Sequence, residues 1–166
     1  MGVVKLRKIC SEFNIPKIND ISQIKYDLYY ILPDAGDAEL FNKIIDIEHI
    51  KFEFKTTHQG KMPDALIKIG NNFLIVEHKI LKESGGGQDK QMTEIIDFIG
   101  WRERGVYYIS FMAGIYFNEL INPRETIKLY KDKQNIYSNL SNCPSNYFVN
   151  EFCFNKIISY ILGIRK

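Results

Sequence analysis

The segment Phe73-Leu74-Ile75-Val76 is apolar at every position, and strand side chains alternate between faces, so as a strand it must be covered on both sides. It predicts a central strand with other elements packed above and below. Gly70-Asn71-Asn72 precedes it, and Ala65-Leu66-Ile67-Lys68-Ile69 precedes that turn. Two apolar runs joined by turn residues predict a hairpin with strands over 64–69 and 73–80.

Around this hairpin the pattern is mostly helical. Val3, Leu6, Cys10 and Phe13 share one stripe of a helix over 3–13 that Pro16 terminates, and a second helix is predicted from Asp20 to Ile31, ahead of Pro33. A third follows Gly36, with Asp37 as its cap, through Leu40, Phe41, Ile44 and Ile45. The period then changes to alternation in Ile50-Lys51-Phe52-Glu53-Phe54-Lys55, which predicts a half-buried strand before a turn at Thr57-His58-Gln59-Gly60. A helix over 88–100, a strand over 106–112 and a helix over about 148–162 complete the series. The polar stretch from Tyr130 to Asn146 predicts a long loop, in which Tyr130, Lys131, Lys133 and Tyr137 are suited to meet phosphates and base edges.

This order predicts an α/β (α+β) sandwich whose central mixed sheet has four or more strands flanked by helices. The chain has 166 residues, 45% hydrophobic and 25% charged, which fits a single globular domain over 1–166. Within it we distinguish a helical N-terminal part over 1–35, a core over 36–112 and a C-terminal loop and helix over 113–166. The net charge of +2, from 22 basic and 20 acidic residues, announces no global attraction for a polyanion, so a nucleic-acid role needs a local patch. Cys10, Cys143 and Cys153 lack metal-ligand spacing and read as buried free thiols. With no apolar run of membrane-spanning length and no signal-peptide pattern, no membrane association and a reducing, cytoplasmic location are expected.

The charges on the hairpin stand out from this background. Glu77 and Lys79 share one face of the second strand, and His78 takes the other. A two-residue turn at 70 and 71 sets Asp64 across from Glu77, and one at 71 and 72 sets it across from Lys79. A three-residue turn would pair Asp64 with His78 instead. An isolated Glu-x-Lys is common and by itself reads as a surface ion pair. Two carboxylates and an ammonium at the end of an apolar central strand are costly to hold together, however, and a divalent cation would relieve their repulsion.

Pro63-Asp64, twelve intervening residues that form a hairpin, an apolar strand and then Glu77-His78-Lys79 resemble the motif of the PD-(D/E)xK nuclease superfamily. The resemblance covers mainly residues 36–112, and it implies a restriction-endonuclease-like core in the order helix, three-strand meander, helix, strand. It also implies a Mg²⁺-dependent endonuclease, with Mn²⁺ able to substitute, acting on double-stranded DNA. Asp64, Glu77 and the backbone carbonyl of His78 would be metal ligands, and Lys79 would orient the attacking water and stabilise charge on the phosphate. A type II restriction endonuclease of a restriction-modification system, or its cleavage domain, is the first expectation, as a homodimer that cuts both strands. A junction resolvase or repair nuclease, and a non-catalytic DNA-binding module on the same fold, are the alternatives.

Many members of the superfamily add a glutamate from the helix before the meander. Glu39 matches that glutamate by position, whereas Glu48 shares the apolar stripe of Phe41, Ile44 and Ile45 and so points inward. Gly85-Gly86-Gly87 lacks the Gly-Lys-Ser/Thr ending of a Walker loop but leads into a helix N-terminus. On that helix Met92, Ile95, Ile96 and Ile99 form the buried stripe; Gln88 lies on it and Lys90 nearly opposite. The resemblance makes Gln88, then Gln91, the expected phosphate or metal-water contacts, with Lys90 at the DNA backbone.

Overall fold

The computed structural model describes residues 2–24, 27–81, 86–121 and 127–164. At its centre a five-stranded mixed sheet runs in the order β1 (Leu28–Ile31), β2 (Ala65–Ile69), β3 (Asn72–Ile80), β4 (Val106–Ala113) and β5 (Tyr147–Val149). The first three strands are antiparallel neighbours, and β3, β4 and β5 run parallel. The expected α/β class is therefore present, and Phe73–Val76 lies in the middle strand.

Phe73 and Ile75 enter the core covered by α2 (Ala38–Ile47), α3 (Phe54–Thr57), α4 (Gly86–Phe98), α5 (Ile115–Ile121) and α6 (Ile127–Asn142). Leu74 and Val76 enter the opposite core, covered by α1 (Gly2–Glu12) and α7 (Glu151–Ile161). Each such fully buried aliphatic side chain contributes about 1.5–3 kcal/mol, which is why a strand apolar on both faces settles in the centre.

The structure corrects three local expectations. Asp20 and Gln23 do form a helix-starting capping box, but among the described residues only the single 3₁₀ turn Ile21–Gln23 follows, residues 25 and 26 of the expected helix lying outside them. Leu28–Ile31 extends into β1 and pairs with β2 through Tyr30 opposite Ile67 and Ile31 opposite Leu66. Aromatic and β-branched side chains suit a pleated surface, and the edge of β2 supplies the hydrogen bonds. The N-terminal part is thus not wholly helical.

The second correction concerns 50–55. Ile50, Phe52 and Phe54 are all buried, as their alternation demands, yet Phe52 has a φ of 44° and the chain coils into α3. The Glu103 carboxylate accepts the N–H groups of Lys51 at 2.6 Å and Phe52 at 3.4 Å, so these donors need no neighbouring strand. The antiparallel meander exists, but β1 supplies its first strand and α2 lies inside it, between β1 and β2. That order differs from the helix, meander, helix, strand series implied by the resemblance.

Third, the expected loop from Tyr130 to Asn146 is mostly α6. Leu129 and Ile136 are buried and Leu140 packs against them. Asn139 donates to the Ile96 carbonyl at 2.7 Å and the Cys143 thiol to the Gly100 carbonyl at 3.3 Å, tying this helix to α4. Its amide and lysine content is that of a loop, and only a thin apolar seam marks it as helix. The C-terminal part also gains α5 and β5, and the final helix begins at Glu151. All three cysteines are free, with Cys153 only half-buried, and no helix among the described residues is long and apolar enough to cross a membrane.

Candidate active site

The hairpin closes through the two-residue turn Gly70-Asn71, with Ile69 opposite Asn72 and Ala65 opposite Val76. Gly70 has a φ of 59°, which the first central position of this tight turn demands and a side chain disfavours. Of the three turns considered from the sequence, this one continues the register to set Asp64 across from Glu77. Leu66 shares its core with Phe73 and Ile75, so strand parity carries Asp64, Glu77 and Lys79 onto the α2/α4 side of the sheet.

The side chains meet as that parity requires. Lys79 Nζ donates to Glu77 Oε1 at 2.6 Å, and the His78 backbone N–H donates to Asp64 Oδ2 at 2.6 Å. The Asp64 side chain therefore takes the hydrogen bond that a longer β2 would have made, which leaves Oδ1 for another partner. The N–H and C=O of one strand residue leave on the same side, so the His78 carbonyl is directed toward the Asp64 edge as well. The His78 ring occupies the opposite face, 4.7 Å from Phe111 and against Gly2 of α1, where an added Cβ would fall 2.4 Å from Nδ1. Burial lowers the pKa of its imidazole to about 4, so it stays neutral, a packing side chain rather than a proton carrier.

Electrostatics distinguish this cluster from an ordinary ion pair. Glu77 is only 4% exposed, and burial raises its carboxyl above the usual range despite the opposing pull of Lys79. Burial likewise raises Asp64, against the His78 N–H and Lys79, with Asp34 adding to the rise. Burial works to lower the Lys79 ammonium, but Glu77 more than offsets it and the pKa rises. Both carboxylates are thus short of compensating positive charge.

Two residues that the sequence reading passed over belong to this cluster. Lys61 Nζ lies 3.9 Å from Glu77 Oε1 and makes a close ion pair with Glu94 on α4. Glu94 has a signal in the sequence, because the buried arc of α4 extends to Phe98, one turn later, and this places Glu94 at its edge. Lys61 sits in an irregular segment and carries none beyond its position three residues before Asp64. Asp34 comes near because its N–H donates to the Pro63 carbonyl at 3.2 Å.

The other expected residues lie elsewhere. Glu39 is exposed and pairs with Lys43 at 2.6 Å. Glu48 does point inward, but to Lys68, at 2.8 Å. Lys68 is four residues along β2 from Asp64, about 13 Å at the usual strand rise. Neither glutamate touches the Asp64–Glu77–Lys79 cluster. Lys90 and Gln91 are exposed on α4, with Gln91 one turn before Glu94, while Gly85 and the side chain of Gln88 lie outside the described residues.

Among the described residues no group of three or more His, Cys, Asp or Glu side chains is arranged to hold a metal ion. Two carboxylates with a backbone carbonyl nevertheless suit Mg²⁺, which keeps several waters and is bound through one or two protein carboxylates and substrate phosphate oxygens. No family model matches this chain, and no curated protein or solved structure matches it.

Proposed function

We propose that the protein is a Mg²⁺-dependent DNA endonuclease of the PD-(D/E)xK type, with a restriction-endonuclease-like core and the residues 1–166 acting as one nuclease domain. The observation that carries this reading is the convergence of Asp64, Glu77 and Lys79 on one face at the end of the central strand, with the carboxylates under-compensated. The position of α2 between β1 and β2, and the pairing of Glu39 and Glu48 with lysines elsewhere, set this chain apart from the pattern that the resemblance implies.

Asp64 Oδ1, Glu77 and the His78 carbonyl would hold the cation, and Mn²⁺ would occupy the same oxygen donors. A bound divalent cation supplies a water of lowered pKa and positive charge at the phosphate. The chain's own part is positional. The His78 N–H fixes the Asp64 carboxylate, the burial of Glu77 excludes competing water, and the Lys79 ammonium orients the attacking water and meets the growing phosphate charge. Water attacks phosphorus and gives up a proton to bulk solvent, and the bond to the leaving sugar oxygen breaks as that oxygen takes a proton from solvent. Double-stranded DNA is the proposed substrate, with a cytoplasmic type II restriction endonuclease as the specific assignment. One such site cuts one strand, so a homodimer would cut both.

Plasmid DNA incubated with and without Mg²⁺, beside a Lys79→Ala variant and followed by end sequencing, tests the proposal. Metal-dependent cleavage with defined ends that disappears in the variant supports a restriction enzyme. Cleavage confined to branched DNA would reassign the protein as a structure-specific nuclease, and cleavage unchanged in the variant would remove the site.

A further inference from the structure

We infer that Lys61 is a substrate-contacting cation of this site and that Glu94 is the positioning residue that sets its place. The inference rests on the phosphodiester-hydrolysis reading above and adds to it a contact that the Asp-Glu-Lys motif does not contain.

Lys61 approaches the cluster from the segment ahead of β2 and is gripped from two other elements. Its Nζ lies 3.9 Å from Glu77 Oε1 on β3, the same oxygen that Lys79 holds at 2.6 Å, and it pairs closely with Glu94 Oε2 on α4. A flexible lysine on a surface gains little from such pairing because solvent screens it. Here the Glu77 and Glu94 side chains are only 5% and 14% exposed, so the pair is shielded and the ammonium is held. The Lys61 side chain is itself 33% exposed. An ammonium carries three N–H donors, and its one hydrogen bond among these contacts goes to Glu94, so donors remain for a ligand on the open side. Lys79 is more enclosed, at 22%, and is committed to Glu77.

The charges explain what that ligand is. Asp64, Glu77 and Glu94 against Lys61 and Lys79 leave one negative charge, and Asp34 beside Asp64 adds a second. One divalent cation offsets these two charges, and one phosphodiester, a monoanion, adds one back. Without Lys61 the loaded site would carry one further negative charge in a partly buried setting, where an uncompensated charge is costly. Lys61 therefore supplies the charge that the phosphodiester needs, and Glu94 keeps that charge beside the cation site instead of letting it swing into solvent.

The test measures duplex binding by fluorescence anisotropy over a salt series in Ca²⁺, which takes the same oxygen donors, with gels confirming intact DNA. Mg²⁺-dependent plasmid nicking is followed in parallel for the wild type, Lys61→Met, Lys61→Arg and Glu94→Gln. A phosphate contact predicts that Lys61→Met lowers the slope of log affinity against log salt by about one, uniformly across sequences, and that Lys61→Arg restores it. Glu94→Gln keeps the slope, since the charge is still present, but slows nicking by about tenfold because the ammonium loses its anchor. A purely structural Lys61 would alter the melting temperature and leave the salt slope alone. An active wild type whose slope and nicking are unchanged in Lys61→Met overturns the inference and leaves the nuclease reading standing. A wild type that neither binds nor nicks duplex DNA overturns both.

Discussion

The α2/α4 face of the sheet carries charged clusters at both ends of the central hairpin, and they solve opposite problems. At one end Lys68, 7% exposed, pairs with Glu48 at 2.8 Å and Asp27 at 3.2 Å, and its ring neighbour Phe73 lies 4.8 Å from the ammonium. Burial works to lower that ammonium, but its two carboxylate partners more than offset the effect and its pKa rises. At the other end the buried Glu77 and the half-buried Asp64 are raised by desolvation in spite of two nearby lysines. The first end is an ion pair complete within the fold. The second remains short of positive charge, as expected of a place that takes a cation. Similar residue types, on the same sheet face, thus serve structure at one end and are available for chemistry at the other.

The largest predicted contrast is functional. Lys79→Ala should reduce Mg²⁺-dependent plasmid nicking by about 10²–10³-fold, whereas Lys68→Met should leave the nicking rate of the folded protein unchanged. Equal losses in both variants would erase the distinction between the two ends. In stability the order reverses. Lys68→Met should lower unfolding free energy by about 2 kcal/mol, as expected for a lost hydrogen bond to a charged group, measured by denaturant titration. Asp64→Asn should raise it by about 0.5–2 kcal/mol while abolishing nicking, as at other sites where activity is held against stability. A destabilised Asp64→Asn protein would show that the carboxylates are already compensated.

Protons and cations should compete at the carboxylate end. Asp64 and Glu77 are raised in the fold, so their contribution to stability is full below the ordinary carboxylate range and is lost as pH rises through their raised folded values. Cation binding needs the ionised forms and so strengthens over the same rise. The increase in melting temperature on adding Mg²⁺ should therefore be present at neutral pH and shrink as pH falls into the raised carboxylate range. A Mg²⁺ effect independent of pH would place the ion elsewhere. The smallest expected effect belongs to Glu39→Gln. Its exposed pairing with Lys43 predicts no measurable change in nicking or melting, and a clear loss of nicking would return it to the site.

The hairpin was largely legible because its rules are local. Turn residues mark the hairpin, and either two-residue turn puts Asp64 on the face of Glu77 and Lys79; the structure takes the one at Gly70-Asn71 and excludes the three-residue turn that would have opposed Asp64 to His78. Elsewhere the local signal was present but outvoted. The Asp20–Gln23 capping box starts a helix that the free edge of β2 converts to β1 after one turn. Ile50, Phe52 and Phe54 are buried as an alternating strand would be, but Glu103, 49 residues beyond Phe54, satisfies the backbone and lets the chain coil. The inward pointing of Glu48 was correctly read from its helix stripe, yet no stripe says which lysine waits at the end of it.

By itself the sequence determined the class of fold, the central place of Phe73–Val76 and the shared face of Glu77 and Lys79, because these follow from periods of two and 3.6 residues, while the turn that brings Asp64 to that face was settled by the fold. Only the tertiary structure decided that Lys61 and Glu94 join that face, that Glu39 and Glu48 do not, and that the carboxylates lack compensation. The physical reason is range. Periodicity acts within a segment, whereas burial and charge pairing depend on which segments meet, and Lys61, Glu77 and Glu94 meet only once β2, β3 and α4 have packed.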